Sequence, residues 1–204
     1  MIIAIDGPSG VGKGTLSKAI ANHYNLAFLD TGLIYRQAAL LTLESHGDPH
    51  KEEDVLKAIA QFSFEGTEDP RLRTEPISQS ASQLAVHLPV RQRLLELQRE
   101  FAQNPKGAIL DGRDIGTVVL PDAPKKIYLT AHTEVRTERR FKELQDRGIE
   151  TTFDQVLADV KARDKRDAGR THNPLRPAQD AFILDTSYLS KEEVFDKAIA
   201  YIDA

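Results

Sequence analysis

Nine residues close to the amino terminus constrain the fold of this chain more than any other segment. They are Gly7, Pro8, Ser9, Gly10, Val11, Gly12, Lys13, Gly14 and Thr15. The short apolar run 2–5 precedes them, and a helical pattern begins at about Thr15. A strand, a glycine-rich turn ending in Gly-Lys and a helix, in this order, are typical of a phosphate-binding loop.

The residue types in this loop explain how it would bind phosphate. Gly7, Gly10 and Gly12 carry no Cβ, so each can adopt positive φ and successive N–H groups can point into one hollow. The positive end of the following helix faces the same hollow, and Lys13 can add a full charge at the outer phosphates. The segment therefore predicts binding of a nucleoside triphosphate.

Composition excludes several other classes of protein. A net charge of −4 argues against a general nucleic-acid polymer or membrane-surface binder. There is no cysteine, which excludes disulfides, thiol catalysis and cysteine metal sites, and the six histidines show no ligand spacing. No apolar stretch approaches ~18 residues, so we expect no membrane span. We expect a cytoplasmic protein, and because nothing in the sequence demands a partner chain, a monomer.

Apolar runs alternate with helical patterns along the chain. Five short runs have the character of buried strands, at 2–5, 26–30, 107–111, 126–130 and 181–185. Helical patterns lie between them, at about 33–45, 51–61, 77–103 (two helices separated near Pro89), 133–147 and 151–169. A last helix is capped by Ser190, with Glu193 three residues on. This alternation predicts an α/β fold, a doubly wound five-stranded parallel sheet with helices on both faces.

Three strands end in aspartate before a polar or glycine-rich turn, and ligands bind at this edge of such sheets. These residues are Asp6, Asp30 and Asp111. The loop has Gly14 where many phosphate loops place the hydroxyl that binds Mg²⁺, and the hydroxyl follows at Thr15. We therefore expect Mg²⁺ to keep most of its waters and to be steered through them by Asp111, with Asp30 and Asp6 as weaker candidates.

Arginines recur at this edge of the predicted sheet. Thr31 begins a helix in which Arg36 falls about one turn on, where it can fork onto a phosphate. In the helix from about 151, helical spacing places Arg163, Asp167 and Arg170 on or beside the buried stripe. Charges on a buried stripe indicate either a ligand or an internal salt-bridge cluster, and we favour the ligand.

Together these motifs resemble bacterial cytidylate kinases, which phosphorylate CMP and dCMP. The resemblance rests on the loop, on Asp30-Thr31-Gly32 through Tyr35-Arg36, and on further segments spread in family order to about residue 190. The further segments are Arg73-Thr74 with Ala81-Ser82-Gln83, Pro89-Val90-Arg91, Asp111 through Val119, and Arg163-Asp164-x-Arg166-Asp167 with Arg170.

The resemblance implies an ATP-dependent P-loop kinase with a role for each matching residue. ATP would contact residues 7–15 and Arg139, and CMP or dCMP would contact Thr31, Tyr35, Arg36, Ser82, Arg91, Arg113, Asp114, Arg163, Asp167 and Arg170. In this set Arg36, Arg113 and Arg170 would bind phosphates. Ser82, Arg91 and Asp114 would read cytosine, and Arg163 and Asp167 would hold the sugar. The catalytic residues would be Lys13, Arg113, Arg163 and Arg170.

The resemblance also implies how the single kinase domain is organised. Residues 1–30, 106–132 and 171–204 would form the core. Residues 31–105 would form a mobile CMP-binding region, and 133–170 a mobile lid with a substrate-facing helix. The chain departs from the family by having Thr31 in place of serine, and by a stretch from Phe62 to Leu72 too short for the family's usual β-insert.

Two other functions remain open at this point. One is a P-loop kinase for another small acceptor, such as shikimate or dephospho-coenzyme A. The other is a nucleotide-dependent switch without transfer activity. The first gives no reason for Ser82, Arg91, Arg163 and Asp167 together, and the second has no use for the arginines on the acceptor side.

Overall fold

A computed structural model describes residues 1–60, 62 and 69–204 of the chain. Its five strands are β1 Ile2–Asp6, β2 Ala27–Asp30, β3 Ala108–Gly112, β4 Lys125–Thr130 and β5 Phe182–Asp185. They form one parallel sheet in the order β2-β3-β1-β4-β5, with β1 at the centre. Because the chain leaves β1 first toward one edge and later toward the other, the predicted doubly wound topology is confirmed.

Eight α-helices connect or flank these strands in the described residues. They are α1 Lys13–Tyr24, α2 Thr31–Glu44, α3 Glu52–Ala58, α4 Glu75–Leu84, α5 Leu88–Ala102, α6 Thr133–Asp146, α7 Phe153–Ala168 and α8 Lys191–Asp203. Two shorter helical turns also occur, a 3-10 turn over Pro70–Arg73 and a π-helical turn over Ile115–Val119. The predicted cap of α8 is confirmed, because Ser190 and Glu193 form a reciprocal capping box.

One hydrophobic core lies between the sheet and two helices. Alternate strand residues such as Ile3, Ile5 and Ile127 are fully buried against Ile20 of α1 and Ala198 of α8. Burial of apolar surface on this scale is the main stabilising term, at about 25 cal/mol per Å². The core therefore holds the central strand rigidly, and the loop that follows β1 starts from a fixed point.

The chain divides into two compact units. One consists of residues 1–29 and 102–204, and the other of residues 30–101. The first contains all of the sheet except Asp30, together with α1 and α6 to α8. The second contains α2 to α5, in which α2 packs against α3 and α4. Among the described residues no helix is long and apolar enough to cross a membrane.

The structure corrects several expected element boundaries. α1 begins at Lys13 rather than Thr15, because Gly12 already serves as its amino-terminal cap. Pro89 does not separate the two helices before β3 but lies in the first turn of α5, where a proline costs no hydrogen bond. α3 is shorter than the predicted 51–61. Residues 61 and 63–68, where most of the expected shortened insert falls, lie outside the described residues.

Candidate active site

The loop between β1 and α1 has the backbone that its glycines predicted. Gly7, Gly10 and Gly12 have φ values of +150°, +81° and +94°. Gly7 also has a packing role, since a Cβ there would lie 2.3 Å from the carbonyl oxygen of Leu129 in β4. The loop thus packs directly against β4, and a side chain at residue 7 would push the loop away from that strand.

Lys13 is the first residue of α1 and its ammonium turns back over the loop. Nζ donates hydrogen bonds to the carbonyl oxygens of Gly7 and Pro8, both at 2.8 Å, and the residue is largely buried. The positive charge therefore lies beside the amino terminus of α1, whose exposed N–H groups are also positive. A polyphosphate would find both in one place.

Asp111, the residue predicted to steer Mg²⁺, lies near the carboxyl end of β3 and next to the start of α1. It is 3% exposed, and its Oδ2 lies 3.8 Å from the position of a Cβ at Gly14. In the described residues no three His, Cys, Asp or Glu side chains group to hold a metal ion. A single buried carboxylate fits a hydrated divalent cation, since Mg²⁺ usually binds one or two carboxylates and keeps several waters.

Asp6, considered as a weaker metal candidate, has a structural role. Its Oδ1 accepts a hydrogen bond from the N–H of Ile115 at 2.8 Å, and its Oδ2 accepts one from Gly116 at 2.7 Å. It thereby holds the π-helical turn that follows β3. Burial raises the pKa of Asp6 to about 6, and the two N–H donors and Lys13 oppose that shift only in part.

Asp167 of α7 binds two of the arginines that were predicted to contact the acceptor. It is 2% exposed, as its place on the buried stripe predicted. Its carboxylate accepts hydrogen bonds from Nε of Arg113 at 2.8 Å and from Nη2 of Arg170 at 2.5 Å. Burial acts to raise the pKa of Asp167, but the charges of Arg113, Arg170 and Arg163 outweigh burial and hold it below its ordinary value. The carboxylate is therefore ionised at neutral pH.

The remaining predicted residues of this unit lie on separate elements. Asp114 is 7% exposed and precedes the π-helical turn, where its carbonyl oxygen accepts from the N–H groups of Val118 and Val119. Arg139 of α6, expected to face ATP, donates from Nη1 and Nη2 to the hydroxyl and carbonyl oxygens of Thr186, at 3.0 and 2.6 Å. In this structure Arg139 is thus held at the carboxyl end of β5.

The second unit contains the other predicted acceptor residues. Thr31 is the first residue of α2 and is 4% exposed. Tyr35 lies one turn further on, and its ring centroid is 5.6 Å from the guanidinium carbon of Arg91 on α5. Ser82 is buried on α4 and Arg36 is half-buried on α2. The structure brings Tyr35 and Arg91 into a cation–π contact, which restrains the guanidinium plane.

Sequence reasoning did not single out two residues that contact the phosphate loop. Arg136 of α6 donates to the carbonyl oxygen of Ser9 at 3.2 Å, and the hydroxyl of Thr186 lies 3.2 Å from the carbonyl oxygen of Val11. Thr186 directly follows β5, so its position at the carboxyl edge of the sheet was the available signal.

The fold and the loop together define a class of protein. A parallel sheet with a glycine-rich loop after its central strand, a lysine over that loop and a carboxylate beside it are the features of a P-loop phosphotransferase. A search of known proteins specifies this class further. The family model for cytidylate kinase matches residues 3–204. The chain belongs to the cytidylate kinase family.

Individual relatives agree with this assignment. A cytidylate kinase of Azorhizobium caulinodans is 48% identical over 203 residues, covering 100% of this chain and 98% of its own. A cytidylate kinase of Mannheimia succiniciproducens is 46% identical, covering 99% of this chain and 96% of its own. That alignment spans 216 positions, more than this chain has residues, so the relative carries residues that this chain lacks.

Solved structures share the fold at much lower sequence identity. An uncharacterized protein from Eubacterium ventriosum superposes with a TM-score of 0.59 at 19% identity, covering 100% of this chain and 98% of its own. A shikimate kinase from Bacteroides thetaiotaomicron has a TM-score of 0.52 at 16% identity, covering 100% and 96%. Identities this low show a shared P-loop kinase fold and carry no argument about the acceptor.

Proposed function

We propose that this protein transfers the γ-phosphoryl group of ATP to CMP or dCMP, giving ADP and CDP or dCDP. Membership of the cytidylate kinase family supports the acceptor. The observation that carries the chemistry is that one compact unit contains both the phosphate loop with Lys13 and the arginine cluster around Asp167. Two anionic substrates that react end to end need positive charge on both sides of the transferred group.

The reaction forms a bond between a phosphate oxygen of CMP and the γ-phosphorus of ATP, and breaks the bond from that phosphorus to the bridging oxygen of ADP. The nucleophile is already an anion at neutral pH, so the protein needs no general base. Its contribution is to position the phosphates and to stabilise charge. In this role Lys13 would leave the carbonyl oxygens of Gly7 and Pro8 and bind the outer phosphates of ATP.

A divalent cation, which we propose is Mg²⁺, would neutralise charge on the ATP phosphates when bound. Asp111 is the residue that would orient it through water, since its buried carboxylate lies beside the first turn of α1. Among the described residues no three His, Cys, Asp or Glu side chains form a group that could hold a metal ion by themselves. This donor set fits a cation that enters with ATP.

The arginine cluster would bind the acceptor. We propose that Arg113 and Arg170 bind phosphate oxygens while remaining bonded to Asp167, which fixes their guanidinium groups in advance. An ionised carboxylate has about four acceptor positions, so Asp167 can also accept a sugar hydroxyl. Arg163, whose charge acts on Asp167, would share that contact. Prior ordering of these side chains lowers the entropic cost of binding.

The residues of the second unit would recognise the rest of CMP. We propose that Thr31 and Arg36 contact its phosphate, and that Ser82 and Arg91 read cytosine. Arg91 is 5% exposed and is held by the Tyr35 ring and by the carbonyl oxygen of Ala85 at 3.4 Å. A buried and restrained guanidinium can discriminate between base edges because a mismatched base would leave its donors poorly paired.

The other two functions are disfavoured by the same residues. A kinase for an alcohol acceptor such as shikimate would have to activate a neutral hydroxyl, and it gives no reason for Ser82, Arg91, Arg163 and Asp167 together. A nucleotide switch would need no acceptor site. Neither alternative matches the family assignment over residues 3–204.

The experiment that tests the proposal measures ADP release from Mg·ATP with CMP, dCMP, UMP, AMP, GMP or no acceptor. We expect strong turnover with CMP and dCMP and little with the others. Lys13→Ala should lower kcat at least ~100-fold, since it removes a charge that the transition state needs. Lys106→Ala, at an exposed lysine before β3, is the matched control and should behave as wild type. If none of these nucleotides increased ADP release by the wild-type protein above the rate without acceptor, the assignment would be refuted.

A further inference from the structure

Two carbonyl oxygens of the phosphate loop are bound from outside the loop. The carbonyl oxygen of Ser9 accepts a hydrogen bond from Nη1 of Arg136 at 3.2 Å. The carbonyl oxygen of Val11 accepts one from the hydroxyl of Thr186, also at 3.2 Å. These donors come from α6 and from the segment after β5, which are far from the loop in sequence. The loop is therefore held at two alternate peptide groups by residues that are distant from it in sequence.

Hydrogen bonds hold the side chain of Arg136 in one position. A guanidinium has five N–H donors, and each finds an acceptor: the carbonyl oxygens of Ala131 and Ser9, the hydroxyl of Thr133, and both carboxylate oxygens of Asp164 on α7. The side chain is 5% exposed. It also packs closely, because a Cβ at Gly10 would lie 3.1 Å from the Cβ of Arg136. Neither lysine nor glutamine could make the same set of contacts.

The Thr186 hydroxyl has one hydrogen and two carbonyl oxygens within reach, and that of Val11, at 3.2 Å, is the nearer. The carbonyl oxygen of Thr130 lies 3.3 Å from the same hydroxyl, but it already accepts the backbone N–H of Thr186 at 2.8 Å. Nη1 of Arg139 donates to the hydroxyl oxygen at 3.0 Å. The hydroxyl thus accepts from the arginine and donates to the loop, a chain in which each bond polarises the next.

The direction of these two carbonyl groups also fixes the direction of the N–H groups that follow them. In a planar trans peptide the C=O of one residue and the N–H of the next point in opposite directions. The described residues contain no cis peptide bond. Because the carbonyl groups of Ser9 and Val11 point at Arg136 and Thr186, the N–H groups of Gly10 and Gly12 point away from these two residues.

We infer that Arg136 and Thr186 are positioning residues for ATP, which hold the N–H groups of Gly10 and Gly12 toward the phosphates. The inference rests on the proposed role of the loop in binding ATP and does not depend on which acceptor is phosphorylated. Without the outer contacts both peptide groups are free to rotate, since their glycines impose few limits on φ and ψ. The loop then loses donors that a nucleoside triphosphate needs, while the hydrogen bonds of Asp167 to Arg113 and Arg170 are not among those removed.

The test uses direct titration of ATP into the full-length protein, together with KM values for ATP and CMP. Thr186→Val removes the hydroxyl and preserves the shape, so we expect the Kd for ATP to rise about tenfold, as for the loss of one hydrogen bond. Thr186→Ser keeps the hydroxyl and should restore ATP binding to within about twofold of wild type. Arg136→Lys keeps the charge but loses the fork, and should weaken ATP at least as much.

Thr42→Val is the matched control. Thr42 is a fully buried threonine of α2 whose hydroxyl donates to the carbonyl oxygen of Ala38 at 2.8 Å, so the same atoms are removed away from the loop. It should lower the melting temperature and leave the Kd for ATP unchanged. The inference is overturned if Thr186→Val binds ATP as wild type does, or if Thr186→Val and Thr42→Val weaken ATP equally. ATP binding without any nucleotide kinase activity would refute the proposed function alone.

Discussion

Replacing Asp167 with asparagine would test whether the arginine cluster depends on one buried charge. The variant Asp167→Asn keeps the size of the side chain and removes its negative charge. The carboxylate now lies 2.8 Å from Nε of Arg113 and 2.5 Å from Nη2 of Arg170, and the charge of Arg163 also acts on it. An amide offers one acceptor oxygen in place of two, and its NH₂ group would face guanidinium donors.

The expected cost follows from the burial of this group. Asp167 is 2% exposed and the side chains of Arg113 and Arg170 are 17% and 10% exposed, so water screens the pairs only weakly. Removing one partner of a buried ion pair costs about 3–5 kcal/mol. For a chain of about this length each kcal/mol lowers the melting temperature by about 2–4 °C. We therefore expect Asp167→Asn to melt about 10 °C below wild type.

Thermal unfolding followed by circular dichroism measures this shift, with and without added sulfate. Sulfate should raise the melting temperature of Asp167→Asn more than that of wild type, because it supplies the missing negative charge to the arginines. Glu96→Gln is the matched control: it breaks the ion pair with Arg93, in which both side chains are exposed, and should cost less than about 1 kcal/mol. A melting temperature of Asp167→Asn within 2 °C of wild type, or an equal response of both proteins to sulfate, would contradict the reasoning.

Three further outcomes are expected. Burial raises the pKa of Asp6 to about 6, so between about pH 4 and 6 the native state binds a proton that the unfolded state does not. The contribution of this group to the free energy of unfolding therefore falls as the pH rises from about 4 to 6. The free energy of unfolding of wild type relative to Asp6→Asn, from urea titrations, should be greater at pH 4 than at pH 7 by about 2 kcal/mol, and parallel profiles would refute this. Gly7→Ala should destabilise far more than Gly148→Ala in the same assay, since a Cβ at Gly7 meets the carbonyl oxygen of Leu129 at 2.3 Å whereas Gly148 (φ +69°) has open space around it; equal losses would show that only backbone strain matters. Arg163→Ala should raise the KM for CMP at least ~10-fold with little change in that for ATP, and unchanged CMP kinetics would exclude it from the acceptor site.

The elements of the fold were accessible from the sequence where one local signal dominated. The five strands are short apolar runs between turn residues, and all five were predicted. The capping box at Ser190 was predicted because its two side chains satisfy each other within one turn. The start of α1 was placed two residues late, since Gly12 caps the helix with a left-handed backbone and no side-chain hydrogen bond.

Elements held by tertiary contacts were not accessible in the same way. The π-helical turn over Ile115–Val119 depends on the carboxylate of Asp6, whose partners are more than a hundred positions away. Nothing in the local residues Ile115-Gly116-Thr117 indicates such a turn. The same bonds explain why Asp6, which resembles a strand-end metal ligand by position, instead holds the backbone after β3.

The candidate site shows the same division between local and long-range causes. The loop was predicted because its function requires backbone conformations that only particular residues allow, and those residues are contiguous. The buried face of α7 was predicted as well, because helical periodicity places Asp167 in line with Val160. The contacts of Arg136 and Thr186 with the loop have no such signal, since they join three segments that are distant in sequence. The residues that form the loop are thus contiguous in the sequence, whereas the residues that support it come from α6 and from the segment after β5. Variation at the supporting positions can therefore change ATP affinity while the loop itself stays the same.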